Sequence, residues 1–397
     1  MFARSQALYR THIEYAGASG SAAADSFSKR MSGITKRIDL NLGYTCNINC
    51  RFCYYQESKE AHTRNLRKDL TREEAVRWLL FFRRKGKTAV DLTGGEPTIR
   101  KDLPGLIEYA RSIGYTTVCV ITNGLRMSDA AYTRRLVSAG LNDCLLSLHG
   151  HDVPVHENLT QTPGSYDRVI SAIRNVMAEG ISCRTNTTVN GVNYRYVPEV
   201  AAVVYGLGVR VANFIMFNPI VEAQSSGPDM NVSYAEAAPF LKKTIDAYKD
   251  RMRRITVRYM PFCLMAGYEK YVTNTAQIQY DPYEWDYLWR TFFRNGALMW
   301  MGALCLGFLI HPSKLRLARL DFETARHEAI KYALAARNKV HGPQCRPCSL
   351  RRICDGLWRD YAARKGFDEL SSRKGRPVTD PAYYLREVLE NNGRDTE

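Results

Sequence analysis

Three closely spaced cysteines are the residues of this chain whose types and spacing most directly suggest chemistry. Cys46, Cys50 and Cys53 follow the pattern C-x3-C-x2-C, and the aromatic residue Phe52 precedes the last of them. A structural zinc site is closed by four ligands, whereas an iron–sulfur cluster held by only three thiolates keeps one iron open. The next candidate ligand, His62, lies in a charged stretch. The spacing therefore indicates a cluster with a vacant coordination position.

A second motif, Thr93-Gly94-Gly95-Glu96-Pro97, ends a predicted strand. Two adjacent glycines let the backbone approach another group closely. A carboxylate accepts charge-assisted hydrogen bonds from an ammonium group. This segment would be an ordinary turn in isolation, but after a strand and downstream of the cysteine loop it is a candidate ligand site.

A third motif lies near the carboxyl terminus, where Cys345, Cys348 and Cys354 have the spacing C-x2-C-x5-C. This is metal-ligand spacing, and structural zinc is one interpretation of it. No cysteine follows Cys354, so a fourth ligand has to come from upstream or from a substrate. Cys263 follows a predicted strand and is favoured, while Cys305 lies in an apolar run, where a cysteine is most often a small hydrophobic residue.

Short apolar strands alternate with amphipathic helices through the first half of the chain. The predicted strands are Ile38–Gly43, Thr88–Thr93, Thr116–Thr122, Asp143–Leu148, Ser182–Val189 and Ala212–Phe217. The predicted helices are Arg72–Arg84, Asp102–Ile113, Asp129–Ala139, Ser165–Glu179 and Val197–Tyr205. Strands connected by helices of this length form parallel sheets. The fold class is therefore α/β, a partial (β/α)6 TIM-like barrel, with its chemistry expected where the strands end.

The pattern divides the chain into four regions. A flexible arm is predicted for residues 1–35, the core barrel for 36–220, bridging helices and a strand for 221–300, and a smaller cysteine-bearing domain for 301–397. The longest apolar run, within 296–310, is shorter than the roughly 20 residues that cross a bilayer. We therefore expect no membrane span.

Composition narrows the class of protein. Of the eleven cysteines, six fall into the two tight motifs, and no signal peptide precedes them, which indicates a reduced, cytoplasmic location. The net charge is +16, with basic clusters at 251–258 and 346–365. A solvated basic face is the favoured interpretation, since no nucleic-acid-binding motif accompanies the charge. Nucleic acid is not an expected partner.

With these motifs in this order, residues 36–220 resemble the radical S-adenosylmethionine (SAM) enzymes. The resemblance implies a 4Fe–4S cluster on the first three cysteines, with the amine and carboxylate of SAM on the open iron. One electron would cleave SAM to methionine and a 5′-deoxyadenosyl radical, which abstracts hydrogen from the substrate. The cofactors supply this chemistry, and the protein binds and orients them.

The same resemblance assigns roles to residues at the ends of the predicted strands. Phe52 would pack near the cluster and the adenine, and the Gly94-Gly95-Glu96 segment would receive the SAM amino group. Strand-end polar groups would hold the ribose and the carboxylate; these are Thr122, Asn123, Ser147 and Arg184. His149 and His151 follow the fourth strand, as substrate contacts or as ordinary loop residues.

The third motif resembles the cysteine block of SPASM and twitch domains, which carry auxiliary iron–sulfur clusters in a subset of radical SAM enzymes. The SPASM pattern has another cysteine four residues after the last of these, where this chain has Trp358. The remaining cysteines suffice for one auxiliary cluster, expected to be 4Fe–4S, on Cys263, Cys345, Cys348 and Cys354. Such a cluster would either accept an electron from a substrate radical or bind substrate.

The expected function is hydrogen abstraction from a small molecule in cofactor, sugar or natural-product biosynthesis, with an external electron donor such as flavodoxin or ferredoxin. The arm at 1–35 is too short for a leader-peptide-recognition domain, and no cobalamin-binding domain is evident. A radical SAM enzyme that modifies a ribosomally made peptide is the first alternative. A non-enzymatic, basic, zinc-binding nucleic-acid protein is the second.

Overall fold

Parallel strands dominate the computed structural model, which describes residues 37–53, 55, 68–84, 86–217, 227–273, 339–378 and 383–384. Eight strands form one sheet in the order of the chain, and every neighbouring pair is parallel. These are β1 Arg37–Asn41, β2 Ala89–Thr93, β3 Thr117–Thr122, β4 Asp143–Ser147, β5 Ser182–Val189, β6 Val211–Met216, β7 Arg254–Arg258 and β8 Val272–Thr273. The sheet curls into a half-barrel, which confirms the predicted α/β class.

Helices connect the strands and cover the outer face of the sheet. They are α1 Arg72–Arg84, α2 Leu103–Ser112, α3 Ala130–Ser138, α4 Val153–Thr160, α5 Ser165–Ala178, α6 Val197–Gly206 and α7 Tyr234–Tyr248. Single 3-10 turns lie at Pro97–Ile99, Tyr194–Tyr196, Pro228–Met230, Phe262–Met265 and Glu269–Tyr271. None of the helices that the structure describes has the length and apolar character that a membrane crossing requires.

The hydrophobic core lies between the outer face of the sheet and these helices. Leu40, Leu92 and Leu146 on the strands are fully buried, as are Leu79 of α1 and Ile173 of α5. Alternate residues of each strand point to this core, because successive side chains of a strand face opposite sides. The other set faces the concave inside of the half-barrel, and its polar members are the candidates for chemistry.

The sheet extends beyond the six strands predicted from the sequence. β7 pairs with β6, and the two-residue β8 pairs with β7, so the segment after residue 220 continues the same sheet. The sequence pattern placed a strand at 255–260 but gave no sign that it joined the barrel. Helix α4 was also missed. It has only eight residues, contains Pro154 and lacks the apolar periodicity that predicts a helix.

A second, two-stranded sheet is formed by β9 Lys339–Val340 and β10 Leu357–Trp358, followed by α8 Arg359–Lys365. The strands are antiparallel, and Trp358 lies opposite Lys339. A 3-10 turn at Pro343–Cys345 begins the cysteine block between them. The predicted arm at 1–35, the apolar run at 296–310 and Cys305 lie outside the described residues.

Candidate functional site

The three-cysteine loop begins directly after β1 and lies at the carboxyl end of the sheet. Cys50 is buried, while Cys46 and Cys53 are partly exposed, and none of the three forms a disulfide bond. The backbone N–H of Cys53 donates to the carbonyl of Cys50 at 3.2 Å, which closes a tight turn. Three thiols on one loop, with two of them reaching solvent, fit the donor chemistry of an iron–sulfur cluster.

Contacts on the far side of the barrel mouth fix this loop. The N–H of Arg51 donates to the carbonyl of Leu159 at 3.0 Å, and its guanidinium donates to Asn158 at 2.6 Å. A second nitrogen of the guanidinium lies 2.5 Å from the Asp229 carboxylate. Because Leu159 and Asn158 belong to α4, the helix that the sequence pattern missed is the one that supports the cysteine loop.

Asp69 fixes the near side of the loop. Its carboxylate accepts hydrogen bonds from the N–H of Tyr44 at 2.6 Å and from the N–H and hydroxyl of Thr45 at 3.2 and 2.5 Å. Asp69 lies just before α1, outside every motif that the sequence analysis singled out. This contact forms only when the chain folds, because Asp69 is more than 20 residues from its partners in the sequence. No motif in the sequence therefore indicates it.

The glycine motif after β2 packs against the backbone of the cysteine loop. The N–H of Gly95 donates to the carbonyl of Gly43 at 2.9 Å, and the N–H of Glu96 donates to the carbonyl of Thr45 at 2.8 Å. A Cβ atom at Gly95 would lie 2.1 Å from the Thr45 carbonyl oxygen, and one at Gly94 would lie 2.7 Å from that of Gly43. Glycine is therefore needed at both positions for the two loops to approach.

Gly95→Ala is expected to lower the free energy of unfolding by about 3 kcal/mol, the upper end for an added methyl group, because the obstacle is backbone. It is also expected to reduce the iron bound after reconstitution, since the cysteine loop must shift. Chemical denaturation and iron analysis measure the two effects. Gly206→Ala is the control, because a Cβ there meets nothing within 4 Å. Equal behaviour of the two variants would contradict the proposed packing role.

The Glu96 carboxylate accepts four hydrogen bonds, two from its own turn and two from the end of β3. One oxygen accepts hydrogen bonds from the N–H of Thr98 at 3.0 Å, its hydroxyl at 2.5 Å and the Thr122 hydroxyl at 2.7 Å; the other accepts from the N–H of Asn123 at 2.8 Å. Burial raises the pKa of Glu96, and these hydrogen bonds oppose that shift. The sequence predicted a direct contact to an ammonium group. In the structure this carboxylate ties the end of β2 to the end of β3, and the contact to an ammonium group stays a prediction.

Asn123 connects the third strand to the cysteine loop. Its Nδ2 donates to Oδ1 of Asn47 at 2.8 Å, and Asn47 lies between Cys46 and Cys50. Its Oδ1 accepts from the N–H of Leu125 at 3.0 Å, so the amide is held at both ends. Thr122 and Asn123, predicted as cofactor contacts, lie at the mouth and position the loops around it.

Ser147 and Asn186 lie side by side at the ends of β4 and β5. They are paired in register, and the Oδ1 of Asn186 is buried with no hydrogen-bond partner in the described part of the chain. A buried acceptor without a partner is uncommon in a folded protein, so this oxygen is available to a ligand or a water molecule. The sequence analysis named Ser147 but missed Asn186, although strand alternation and the register place it in the same layer.

Phe52 packs against His149, with ring centroids 4.4 Å apart. The His149 ring is buried, and its Nδ1 accepts from the N–H of Thr188 at 3.2 Å. Burial, with a smaller contribution from His156, lowers the pKa of His149 well below its usual value. His149 is therefore a neutral ring with its proton on Nε2, and it sets the orientation of the aromatic residue inside the cysteine motif.

Arg184 lies away from the other predicted cofactor residues. It is the third residue of β5, and its guanidinium donates to both oxygens of Asp143, at 3.0 and 2.6 Å, near the start of β4. Asp91 and Arg37 complete a network of ion pairs at this end of the sheet. The structure thus corrects the expectation that Arg184 lies at a strand end, because the arginine points to the amino-terminal half of the barrel.

The carboxylates of Asp91 and Asp143 and the thiol of Cys119 come together in that network, close enough to suggest a cation site. The two arginines already neutralise the carboxylates, and Nη2 of Arg184 lies 3.2 Å from Sγ of Cys119. This group is therefore a set of ion pairs inside the barrel. A cation there would have to displace a guanidinium.

Asp39 lies beside Asp91 in register on the inside of the sheet. Burial raises the pKa of Asp39 to about 8, and the charge of Asp91 raises it too, while Arg258 and Arg37 act in the opposite direction. The folded state therefore binds a proton that an unfolded aspartate releases near pH 4. The contribution of the protonated Asp39 to the free energy of unfolding is therefore complete below about pH 4 and is lost as pH rises through about 8.

We expect the Asp39→Asn variant to flatten the decline in free energy of unfolding between pH 4 and pH 8, because asparagine cannot titrate. Chemical denaturation at several pH values measures this slope. Asp250→Asn, at an exposed position, is the control and should keep the wild-type slope. A decline that persists unchanged in Asp39→Asn would show that another group causes it.

A second group of cysteines meets beyond the end of β7. Cys263 lies in the 3-10 turn Phe262–Met265, and it lines one pocket together with Cys345, Cys348 and Cys354. The walls of this pocket also include the apolar side chains of Phe262 and Leu370. The structure thus brings together the four cysteines that the sequence analysis grouped, across more than 80 residues of chain.

The surroundings of these thiols fit a metal cluster. The N–H of Gly356 donates to Sγ of Cys354, and the N–H of Arg373 donates to Sγ of Cys348, both at 3.5 Å. Burial raises the pKa of Cys354 to about 12, so its thiolate needs a compensating positive charge, which a metal supplies. His341 also lines the pocket, but its Nε2 lies 3.1 Å from the carbonyl oxygen of Cys354.

Comparison with known families identifies the barrel. Residues 40–204 match the sequence model of the Radical SAM superfamily, and this range holds all three cysteines of the first loop and the glycine motif. Residues 40–204, which form most of the barrel, belong to the radical SAM superfamily. This is a superfamily of enzymes, so the barrel mouth described above is the candidate active site of a radical SAM enzyme.

Curated relatives agree with this assignment. A probable GTP 3′,8-cyclase of Saccharolobus islandicus is 31% identical over 182 residues, which cover 46% of this chain and 56% of the relative. An AdoMet-dependent heme synthase of Oleidesulfovibrio alaskensis is 26% identical over 183 residues, 46% of each chain. The chain therefore spans about half the length of the curated relatives it matches.

The radical SAM fold is also found among solved structures. Native anSMEcpe with bound AdoMet and Kp18Cys peptide aligns with a TM-score of 0.51 at 15% identity, covering 90% of this chain and 97% of that one. At this identity the likeness shows a shared fold.

Proposed function

We propose that this protein cleaves SAM reductively and uses the resulting radical to abstract hydrogen from a small-molecule substrate. The observation that carries the proposal is the convergence of three segments on the loop that follows β1 and carries Cys46, Cys50 and Cys53. The glycine motif donates to backbone carbonyls at the start of this loop, Asn123 donates to Asn47, and α4 holds Arg51. A 4Fe–4S cluster and SAM, when bound, supply the one-electron cleavage and the 5′-deoxyadenosyl radical.

The chain's own residues bind and orient SAM. The Gly94–Gly95 backbone lies against the cysteine loop and would receive the amino group of SAM. Ser147 and the unpartnered Oδ1 of Asn186 lie at adjacent strand ends and would provide polar contacts for the ribose and carboxylate. Phe52, which packs against His149, would contact the cluster and the adenine. The hydrogen bond from the Thr122 hydroxyl to Glu96 holds the loops after β2 and β3 in place.

The second cysteine group is proposed to hold one auxiliary 4Fe–4S cluster. Its support is the single pocket lined by Cys263, Cys345, Cys348 and Cys354. Four thiolates leave no iron open, so this cluster would transfer electrons and would not bind substrate directly. It would accept one electron from the substrate radical, and a carrier of the flavodoxin or ferredoxin class would remove that electron and also supply the one that starts SAM cleavage.

The substrate class rests on the relatives. The matched relatives carry names of enzymes that act on small molecules, GTP and heme precursors of cofactor biosynthesis among them. We therefore propose a small molecule from cofactor, sugar or natural-product biosynthesis. The alternative substrate is a ribosomally made peptide. Mass spectrometry would identify it, because the modified product would have the mass of a peptide.

SAM cleavage tests this proposal. Anaerobically purified and reconstituted protein, reduced with dithionite, is incubated with SAM, and 5′-deoxyadenosine is measured by chromatography. The expected result is 5′-deoxyadenosine from a brown protein that absorbs broadly near 400 nm. A colourless protein that binds zinc and leaves SAM intact would overturn the proposal in favour of a zinc-binding protein.

A further inference from the structure

A buried lysine lies between the barrel and the second cysteine pocket. Lys339 is 8% exposed, and its Nζ has no hydrogen-bond partner among the residues described. The Nζ lies 3.6 Å from the ring centroid of Trp358 and 5.2 Å from that of Tyr259. Lys339, Trp358 and Tyr259 together are called the lysine cage. Lysine is almost never buried without a partner, so the cage calls for a functional explanation.

The lysine cage is built to keep a positive charge in a dry environment. Two aromatic faces attract an ammonium group and offset part of the free energy lost on removing it from water. Burial lowers the pKa of Lys339 to about 8, and the charges of Asp355 and Cys354 oppose that shift. At neutral pH the amine therefore stays mostly protonated.

Tyr259 adopts an unusual backbone conformation to reach this position. Its φ is +64°, in the left-handed region that bulky residues rarely occupy. Such a conformation persists only where the surrounding structure enforces it, and it is found disproportionately at functional sites. The Tyr259 and Trp358 rings pack edge to face with centroids 5.5 Å apart, so the strained residue forms one wall of the lysine cage.

The second cysteine pocket begins next to this cage. His341 directly follows β9, two residues after Lys339, and it lies in the pocket wall with its Nε2 3.1 Å from the carbonyl oxygen of Cys354. β10, which carries Trp358, starts three residues after Cys354. A cluster bound by the four cysteine thiolates would place negative charge near the buried ammonium group.

We propose that Lys339 raises the reduction potential of the auxiliary cluster and so favours electron transfer to it from the substrate radical. Reduction adds one electron, and therefore one negative charge, to a buried cluster. A nearby buried ammonium stabilises the reduced form more than the oxidised form, and the low dielectric of the interior strengthens that effect. The substrate radical is oxidised by one electron, the cluster is reduced by one, and an external carrier of the flavodoxin or ferredoxin class removes the electron.

This inference rests on the proposed function, since it requires a cluster at the second site. The test uses the full chain with Cys46, Cys50 and Cys53 replaced by alanine, so that only the auxiliary cluster gives a signal. Its midpoint potential is measured by a redox titration followed by electron paramagnetic resonance. Lys339→Met is compared with Lys339→Arg, which keeps the charge, and with Lys374→Met, which removes an exposed lysine of the same region.

At the midpoint of the parent protein, Lys339→Met is expected to lower the ratio of reduced to oxidised cluster at least about tenfold, which is about 59 mV for a one-electron couple. Lys339→Arg should stay closer to the parent, and Lys374→Met should not differ from it. An unchanged midpoint in Lys339→Met, with the cluster iron retained, would overturn the inference and leave the auxiliary cluster standing.

Two further outcomes separate the inference from the proposed function. A parent protein that binds no iron at the second site would remove the auxiliary cluster itself, and the inference with it. Should Lys339→Met lose its iron, Asp355→Asn decides, because the loss of a negative charge beside Cys354 must raise the midpoint. A midpoint that does not rise in Asp355→Asn would overturn the electrostatic account.

Discussion

Replacing Cys50 with alanine is expected to reduce 5′-deoxyadenosine formation by more than about 100-fold, because even the outer partners of metal ligands contribute 10- to 100-fold to metal sites. Cys50 is the central and most buried cysteine of the first loop. Without its thiolate the cluster would keep two protein ligands and would not be retained. The measurement is 5′-deoxyadenosine released per chain under dithionite.

Cys144→Ala is the matched control for this variant. Cys144 is a buried cysteine of β4 whose Sγ contacts the Met127 sulfur at 3.9 Å, in the core behind the sheet. Its replacement should lower stability slightly and leave SAM cleavage unchanged. SAM cleavage that survives in Cys50→Ala, or that disappears equally in Cys144→Ala, would show that the first loop is not the cluster site.

Cys348→Ala is expected to retain SAM cleavage and lose product formation. The two cysteine groups lie on different parts of the chain, so the loss of one site leaves the other with its ligands. 5′-Deoxyadenosine should form without substrate turnover, because the proposed electron acceptor is missing. The measurement is the ratio of product to 5′-deoxyadenosine once a substrate is known, and until then the iron content, expected to fall by about four per chain.

Cys263 and Cys305 provide a comparison within the same half of the chain. Cys263 lines the pocket, so Cys263→Ala should behave like Cys348→Ala. Cys305→Ala should retain the auxiliary iron. The opposite result, iron lost in Cys305→Ala and kept in Cys263→Ala, would assign the fourth ligand to Cys305.

The alternation of strands and helices could be predicted because each element carries its own local pattern. β5 and α1 were predicted with the bounds that the structure has, Ser182–Val189 and Arg72–Arg84. α4 and β8 were missed, since a helix of eight residues and a strand of two are formed by their tertiary contacts. The half-barrel class followed from the pattern, whereas the number of strands did not.

In the candidate site, the positions of the motifs could be predicted, whereas the contacts of their side chains could not. The positions of the cysteine loop and the glycine motif followed from the strands before them. The role of Glu96 did not, because two of its four hydrogen bonds come from Thr122 and Asn123 at the end of β3, and only the two from Thr98 are local. Arg184 was expected at a strand end, yet it is the third of the eight residues of β5, and its contact with Asp143 is a side-chain ion pair that the strand pattern does not indicate.

Iron content in the wild type, Cys50→Ala, Cys348→Ala and the double variant shows whether the chain binds two independent iron–sulfur clusters. For two 4Fe–4S clusters, about eight irons per chain are expected in the wild type, about four in each single variant and almost none in the double variant. Wild-type protein that binds about four irons, all lost in Cys50→Ala and all kept in Cys348→Ala, would contradict the presence of two clusters.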